Sequence, residues 1–260
     1  MNKLIPKIGA AIVTLTVFLF AIFMIVDFPF GSYFVCMFLP IGYIMMAAGF
    51  HHESAKEQRV SANIGMIFSA IYAVLIFLVY FAQTTTVRLE DINEQAIKIL
   101  DFQRGGLLFN YDLLGYGMMA LSTFFIGLSI KAESKSDKWL KYLMIIHGVF
   151  FIGCFIMPMT GVFTSMANGD NGNGGTIALL FWCAYFIPIG ILSYRHFEKE
   201  KRLIPVFKTK KSVFGGRCYT NETGRLINWT RLGSICWIYN ICCTFHSFDF
   251  WTWKLVNFRI

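Results

Sequence analysis

Hydrophobic residues run through this chain in six long blocks, at positions 8–26, 32–50, 60–82, 107–130, 139–160 and 176–194, with short polar segments between them. Each block is 19 to 24 residues long, and at about 1.5 Å rise per residue that matches a hydrocarbon core about 30 Å thick. In lipid a backbone amide must find its partner inside its own segment, so the blocks are predicted to be helices. The expected fold is therefore all-α, a polytopic transmembrane bundle of six spans over residues 1–197. A basic tail, 198–260, is expected to follow it.

The polar segments set the orientation. Lys3, Lys7, Lys56, Arg59, Lys131, Lys135, Lys138 and Lys141 fall on one side of such a bundle, together with eight basic residues between 195 and 217. The other side holds only Arg88, Lys98 and Arg104. Basic residues near span ends favour the cytoplasm, which predicts both termini inside and a plasma-membrane location. An odd number of spans would scramble this split.

The connections on the expected outer side differ in kind. FPFGS is a tight turn between the first two spans. Residues 84–104 place Leu89, Ile92, Ala96 and Ile99 at helical spacing, with Glu90 and Asp91 in the expected first turn and Lys98 near its end. That pattern predicts a short amphipathic helix on the outer leaflet, with charges that suit its dipole. The third connection, MANGDNGNGG, lacks the regular ladder of oxygen ligands that calcium requires and is read as a connector.

Composition sharpens the picture. Hydrophobic residues make up 56% of the 260 and charged residues 15%, against about 25% charged in soluble domains. The net charge of +8 is concentrated at 195–217, where Arg195, Lys199, Lys201, Arg202, Lys208, Lys210, Lys211 and Arg217 outnumber Glu198 and Glu200. A basic block beside a span points to anionic lipid headgroups and not to nucleic acid. None of the seven cysteines forms a C-x-x-C pair, and Cys36, Cys154 and Cys183 lie in separate apolar blocks, as small buried hydrophobes do. The end of the tail is rich in Trp and Cys and follows no clear period, which suits an interfacial or disordered segment.

One carboxylate interrupts the oil. Asp112 lies five residues into the fourth block, within FNYDLLGYG. An aspartate deep in a spanning helix costs about 2.5–3.5 kcal/mol on insertion scales, so it normally faces the bundle or a cavity. Asn110, Tyr111 and Tyr116 stand nearby, and Tyr116, at i+4, shares its helix face. These residues are the candidate ligand or ion site. His147 in the fifth block is a more distant member, separated from Asp112 by about 13 Å in depth at 1.5 Å per residue. Arg104 is too far along the helix to pair with Asp112 directly, and Asp101 is its simpler partner.

A second candidate lies at the cytoplasmic face, where His51, His52 and Glu53 end the second span and His196 ends the sixth. If those helices touch, the four form a polar cluster. Adjacent histidines point about 100° apart on a helix, so they do not readily share one ion, and no resident metal or cofactor is expected.

Pro-Ile-Gly occurs in both the second and the sixth blocks, at Pro40 to Gly42 and Pro188 to Gly190. It is compatible with a duplicated hairpin or with helices kinked at Pro40, Pro158 and Pro188.

The chain carries no H-E-x-x-H, G-x-S-x-G, Walker A or Rossmann glycine pattern, which argues against an enzyme. Two functional readings stay open. One is transport of a small solute or ion through a site at Asp112, with a homo-oligomer to complete the pathway. The other is a sensing, interaction or accessory protein that meets lipid or a membrane partner without transport or catalysis.

Overall fold

A computed structural model describes residues 3–89, 92–102, 106–161 and 173–199. These residues belong to one unit, Met1–Arg202. The tail beyond 199, Glu90 and Asp91, Arg104 and most of the Gly/Asn-rich connection lie outside the described residues, and with them the expectations attached to those segments.

The described residues form helices and short connections with no strand among them, and six helices are long and apolar enough to cross a membrane. The first is α1, Leu4–Ile25. The second is built from α2, Pro29–Cys36, and α3, Leu39–Glu53. The third, α4, covers Arg59–Thr84, and the short α5, Thr86–Leu89, follows it. After α6, Glu94–Leu100, comes the fourth, α7, Leu107–Ser129. The fifth is split into α8, Lys135–His147, and α9, Phe150–Met159, and the sixth is α10, Asn173–Glu198.

Their packing forms a closed ring in chain order. Each spanning helix contacts the next, and α10 returns to α1. Lys7 Nζ meets Glu198 Oε1 at 2.8 Å, so the first and last of the six end together. The interior is mainly apolar but also encloses polar side chains, and the outside is oily: Thr16, Ser69, Gln83, Asp112, Ser122, Thr123, His147 and Ser193 are buried among the core residues, whereas Ile67, Phe81, Ile152 and Phe181 are more than half exposed. An apolar exterior over buried polar groups is compatible with a lipid surrounding.

Small residues bring the helices close, as expected where no hydrophobic effect separates helix from solvent. A Cβ on Gly9 would stand 2.6 Å from the Gly42 carbonyl oxygen, and one on Gly190 would stand 2.3 Å from Thr14 Oγ1. Both Pro-Ile-Gly motifs therefore pack against α1. In a duplicated hairpin the second motif would answer to the fifth span, so the shared motif has a packing explanation: two neighbours serve one helix. Between α4 and α7, Gly65 makes a similar approach, and Ser122 Oγ donates to its carbonyl at 2.7 Å.

The breaks differ from those expected at the prolines. Before Pro40 the second span does divide, at Met37 and Phe38. The fifth span divides at Gly148, ten residues upstream of Pro158, where tighter i→i+3 bonds such as Val149 N to Ile146 O at 3.0 Å take over. Pro158 sits at the end of α9, and α10 continues through Pro188. Likewise α6 starts later than the apolar spacing suggests. Asn93 caps it by accepting from Ala96 N at 2.9 Å, while Leu89 and Ile99 face outward.

Candidate functional site

Asp112 is 2% exposed and projects from α7 into the ring. Its Oδ1 has no hydrogen-bond partner among the described residues, and neither does the hydroxyl of Tyr116 one turn later. The Tyr80 hydroxyl, from α4, faces the same carboxyl group. The helical spacing that links Asp112 to Tyr116 is thus realised in three dimensions. Asn110 and Tyr111, adjacent in sequence, lie on the exposed side of α7.

Beside these residues is a cavity of about 510 Å³, lined by residues of α7, α9 and α10 together with Phe102. Its walls are aromatic and aliphatic, and among the described residues Asp112 is the one acid lining it. The cavity exists because of the break at Gly148. α8 packs against α10, whereas α9 packs on α7 and leaves room on its other flank. Ile152, Met157 and Val149, all exposed on the outer surface, also line the cavity, which therefore opens sideways between α9 and α10.

The floor is closed. Five buried rings from four elements pack in a closed circuit: Tyr43 to Tyr72 at 5.4 Å between centroids, Tyr72 to Tyr116 at 5.9 Å, Tyr116 to Trp182 at 4.9 Å, Trp182 stacked on Phe186 at 5.1 Å, and Phe186 back to Tyr43 at 6.4 Å. This belt fills the bundle interior toward the end that holds the N-terminus. His147 is locked beneath it. Trp182 Nε1 donates to His147 Nε2 at 3.1 Å, and His147 Nδ1 lies 2.8 Å from Thr123 Oγ1, which donates onward to the Ala120 carbonyl. That chain fixes a neutral imidazole with its proton on Nδ1. His147 borders the Asp112 cavity through two of its lining residues, Trp182 and Phe150, the latter stacked on the imidazole with centroids 5.1 Å apart.

The roof is held by Gln83. This side chain, 3% exposed, donates to the Leu100 carbonyl at 2.7 Å and accepts from Phe102 N at 3.3 Å. It thereby pairs two backbone groups of the connection between α6 and α7. Phe102 is set against Tyr33, Tyr80 and Phe109, with centroids 5.8, 6.2 and 5.2 Å away. Above it lies a second cavity, about 410 Å³, which shares Phe102, Phe109 and Leu179 with the first.

The other candidate cluster forms at the opposite end. His196 Nε2 is 3.2 Å from Glu53 Oε2 and its Nδ1 is 2.9 Å from Asp137 Oδ1, so α3, α8 and α10 are joined there. Two ring nitrogens facing two carboxylates is an arrangement that uses the doubly protonated imidazolium. Lys199 Nζ donates to the same Asp137 oxygen at 2.8 Å and to Ser134 and Ser136. His51 turns away toward Asn63, at 2.5 Å, and His52 lies in the last turn of α3. Among the described residues no three His, Cys, Asp or Glu side chains are placed to hold a metal ion.

Sequence reasoning missed Gln83, Phe102, Asp137 and Trp182. Two of them had a readable signal: Gln83 is an amide within an apolar block, and Ser134-x-x-Asp137 is a capping box. Phe102 and Trp182 are two aromatics among many and gain their roles only from the fold. Compared with protein-family models, curated proteins and solved structures, the chain matches none. Its class thus rests on its own physics: a helical bundle with six helices fit to cross a membrane and a buried, incompletely paired acid in one of them.

Proposed function

We propose that this chain is an integral membrane protein that takes an amphipathic molecule sideways from the bilayer into the cavity beside Asp112. The observation that carries the proposal is the conjunction of a side opening, apolar walls and an unpartnered polar group at the inner end. A cavity of about 510 Å³ lies within the range of about 300–1,000 Å³ common for small-molecule sites. A freely hydrated ion finds little here to replace its water, because the walls are apolar and the aromatic belt closes the floor. The sensing or accessory reading is therefore favoured over transport of a small polar solute. In the same reading the bilayer is the plasma membrane, both termini are cytoplasmic, and the basic run 195–217 meets anionic headgroups.

One observation favours a carrier as the second reading. Phe102 and Phe109 separate the side cavity from the upper one, and their displacement would join the two.

Gly153 supplies the test. A Cβ there meets only Met157 Sδ, at 3.8 Å, so a larger side chain enters the cavity without disturbing its walls. In nanodiscs, a photoreactive long-chain alcohol is expected to label α9 and α10 of the wild-type protein, and Gly153→Leu is expected to remove most of that labelling. Equal labelling of both proteins would refute a ligand site in this cavity.

A further inference from the structure

We infer that the molecule received beside Asp112 carries a positively charged amine, an ammonium head on an apolar body; this rests on the cavity reading above. Among the described residues the lining contains an acid and no base: Asp112 is buried, its Oδ1 has no hydrogen-bond partner there, and none of the described lining residues is Lys, Arg or His. A carboxylate so placed lacks the compensation that buried charges normally have. Aromatic rings border the same space: Phe102, Phe109, Tyr116, Phe150 and Trp182 all line it. Aromatic faces attract a cation through the ring quadrupole, and several around one cavity form the cage by which alkylammonium groups are recognised. An acid alone is ambiguous, and so is an aromatic wall alone. Together they select a cation with a greasy body over an anion, which both features repel, and over a small hydrated metal ion, for which the oxygen ligands are too few.

The geometry also assigns parts to the ligand. The polar end sits inward, toward Asp112 and the Tyr116 hydroxyl, and the apolar end leaves between α9 and α10 past Ile152 and Met157. A primary ammonium has three donors, enough to serve both oxygens.

The test compares two probes of equal chain length in nanodiscs of zwitterionic lipid at pH 7: oleylamine and oleyl alcohol, each competing against the photoreactive alcohol. Full-length wild-type protein is expected to prefer the amine by at least tenfold. Asp112→Asn is expected to abolish that preference while retaining binding of the alcohol. Gly153→Leu keeps Asp112 and fills the cavity, so it serves as the blank for both probes. Equal competition by amine and alcohol in the wild type would overturn the inference and leave the cavity reading standing. So would a preference that survives in Asp112→Asn. Labelling that Gly153→Leu fails to reduce would remove the cavity reading and the inference together. Should Asp112→Asn not fold, Tyr116→Phe takes its place: removing the second oxygen is expected to weaken the amine more than the alcohol, and an equal effect on both counts against the assignment.

Discussion

Two buried aspartates, one at each end of the same bundle, have opposite surroundings. Asp137 is 3% exposed and Asp112 is 2% exposed. Around Asp137, His196 and Lys199 meet Oδ1, the Ser134 hydroxyl donates to Oδ2 at 2.6 Å, and the Ser134 backbone N–H donates to the same oxygen at 3.1 Å. Around Asp112, one oxygen has no partner and the walls are hydrocarbon. Burial alone therefore does not separate a structural acid from one available to a ligand. The number of donors already satisfied does.

The largest expected effect follows from the occupied end. Asp137→Ala removes the reciprocal cap of α8 and the shared partner of two cations. Loss of a cap costs about 0.5–2 kcal/mol, and a hydrogen bond to a charged group is worth about 1.5–3 kcal/mol. Lys199 is close to half exposed, with 43% of its side chain accessible, so its share is screened by water. A loss of about 2–4 kcal/mol is expected in unfolding of the purified full-length protein by denaturing detergent. A loss below about 1 kcal/mol would mean that the network at this end contributes little to holding α3, α8 and α10 together.

Next comes Gln83, which belongs to the Asp112 end yet behaves like a residue of the other. Gln83→Ala leaves the Leu100 carbonyl and the Phe102 amide unpaired near the roof of the cavity. A destabilisation of about 1–2 kcal/mol is expected, at about 1 kcal/mol per hydrogen bond. Hydrogen exchange at Phe102 should rise along with it. Unchanged exchange there would show that α6 and its connection are held by packing alone.

The same contrast explains what could be read from the chain. Six helices follow from composition and length, because lipid imposes one rule on every block. Asp112 and Tyr116 follow from a spacing of four on one helix. Their neighbours Asn110 and Tyr111 turn outward, because closeness in sequence is not closeness on a helix face. His196 and Glu53 were legible only on the condition that their helices meet, and their ends do meet, on either side of α1, where His196 Nε2 is 3.2 Å from Glu53 Oε2. The break at Gly148 was hidden because proline is the stronger local signal. The break coincides with a tertiary contact, since a Cβ on Gly148 would stand 2.8 Å from Phe124 Cβ and 2.9 Å from its ring. The cavity depends on that break, and so the site's most consequential feature was out of reach of periodicity.

The smallest expected effect is the one that tests the comparison most directly. Asp112→Asn keeps the shape of the side chain and removes its charge. At an occupied carboxylate such a change destabilises, because donors lose an anion. Here Oδ1 has no donor to lose, while the desolvation cost of burying a charge among apolar walls is relieved. The Tyr80 hydroxyl that faces the carboxyl group still finds an amide carbonyl within the same shape. Stability is therefore expected to stay within about 1 kcal/mol of wild type, with any change toward greater stability. Measured side by side in the same detergent titration, Asp137→Asn should lower stability where Asp112→Asn does not. If the two variants lost stability equally, Asp112 would be a fastener like its counterpart, and its unpaired oxygen could no longer be read as kept for a ligand.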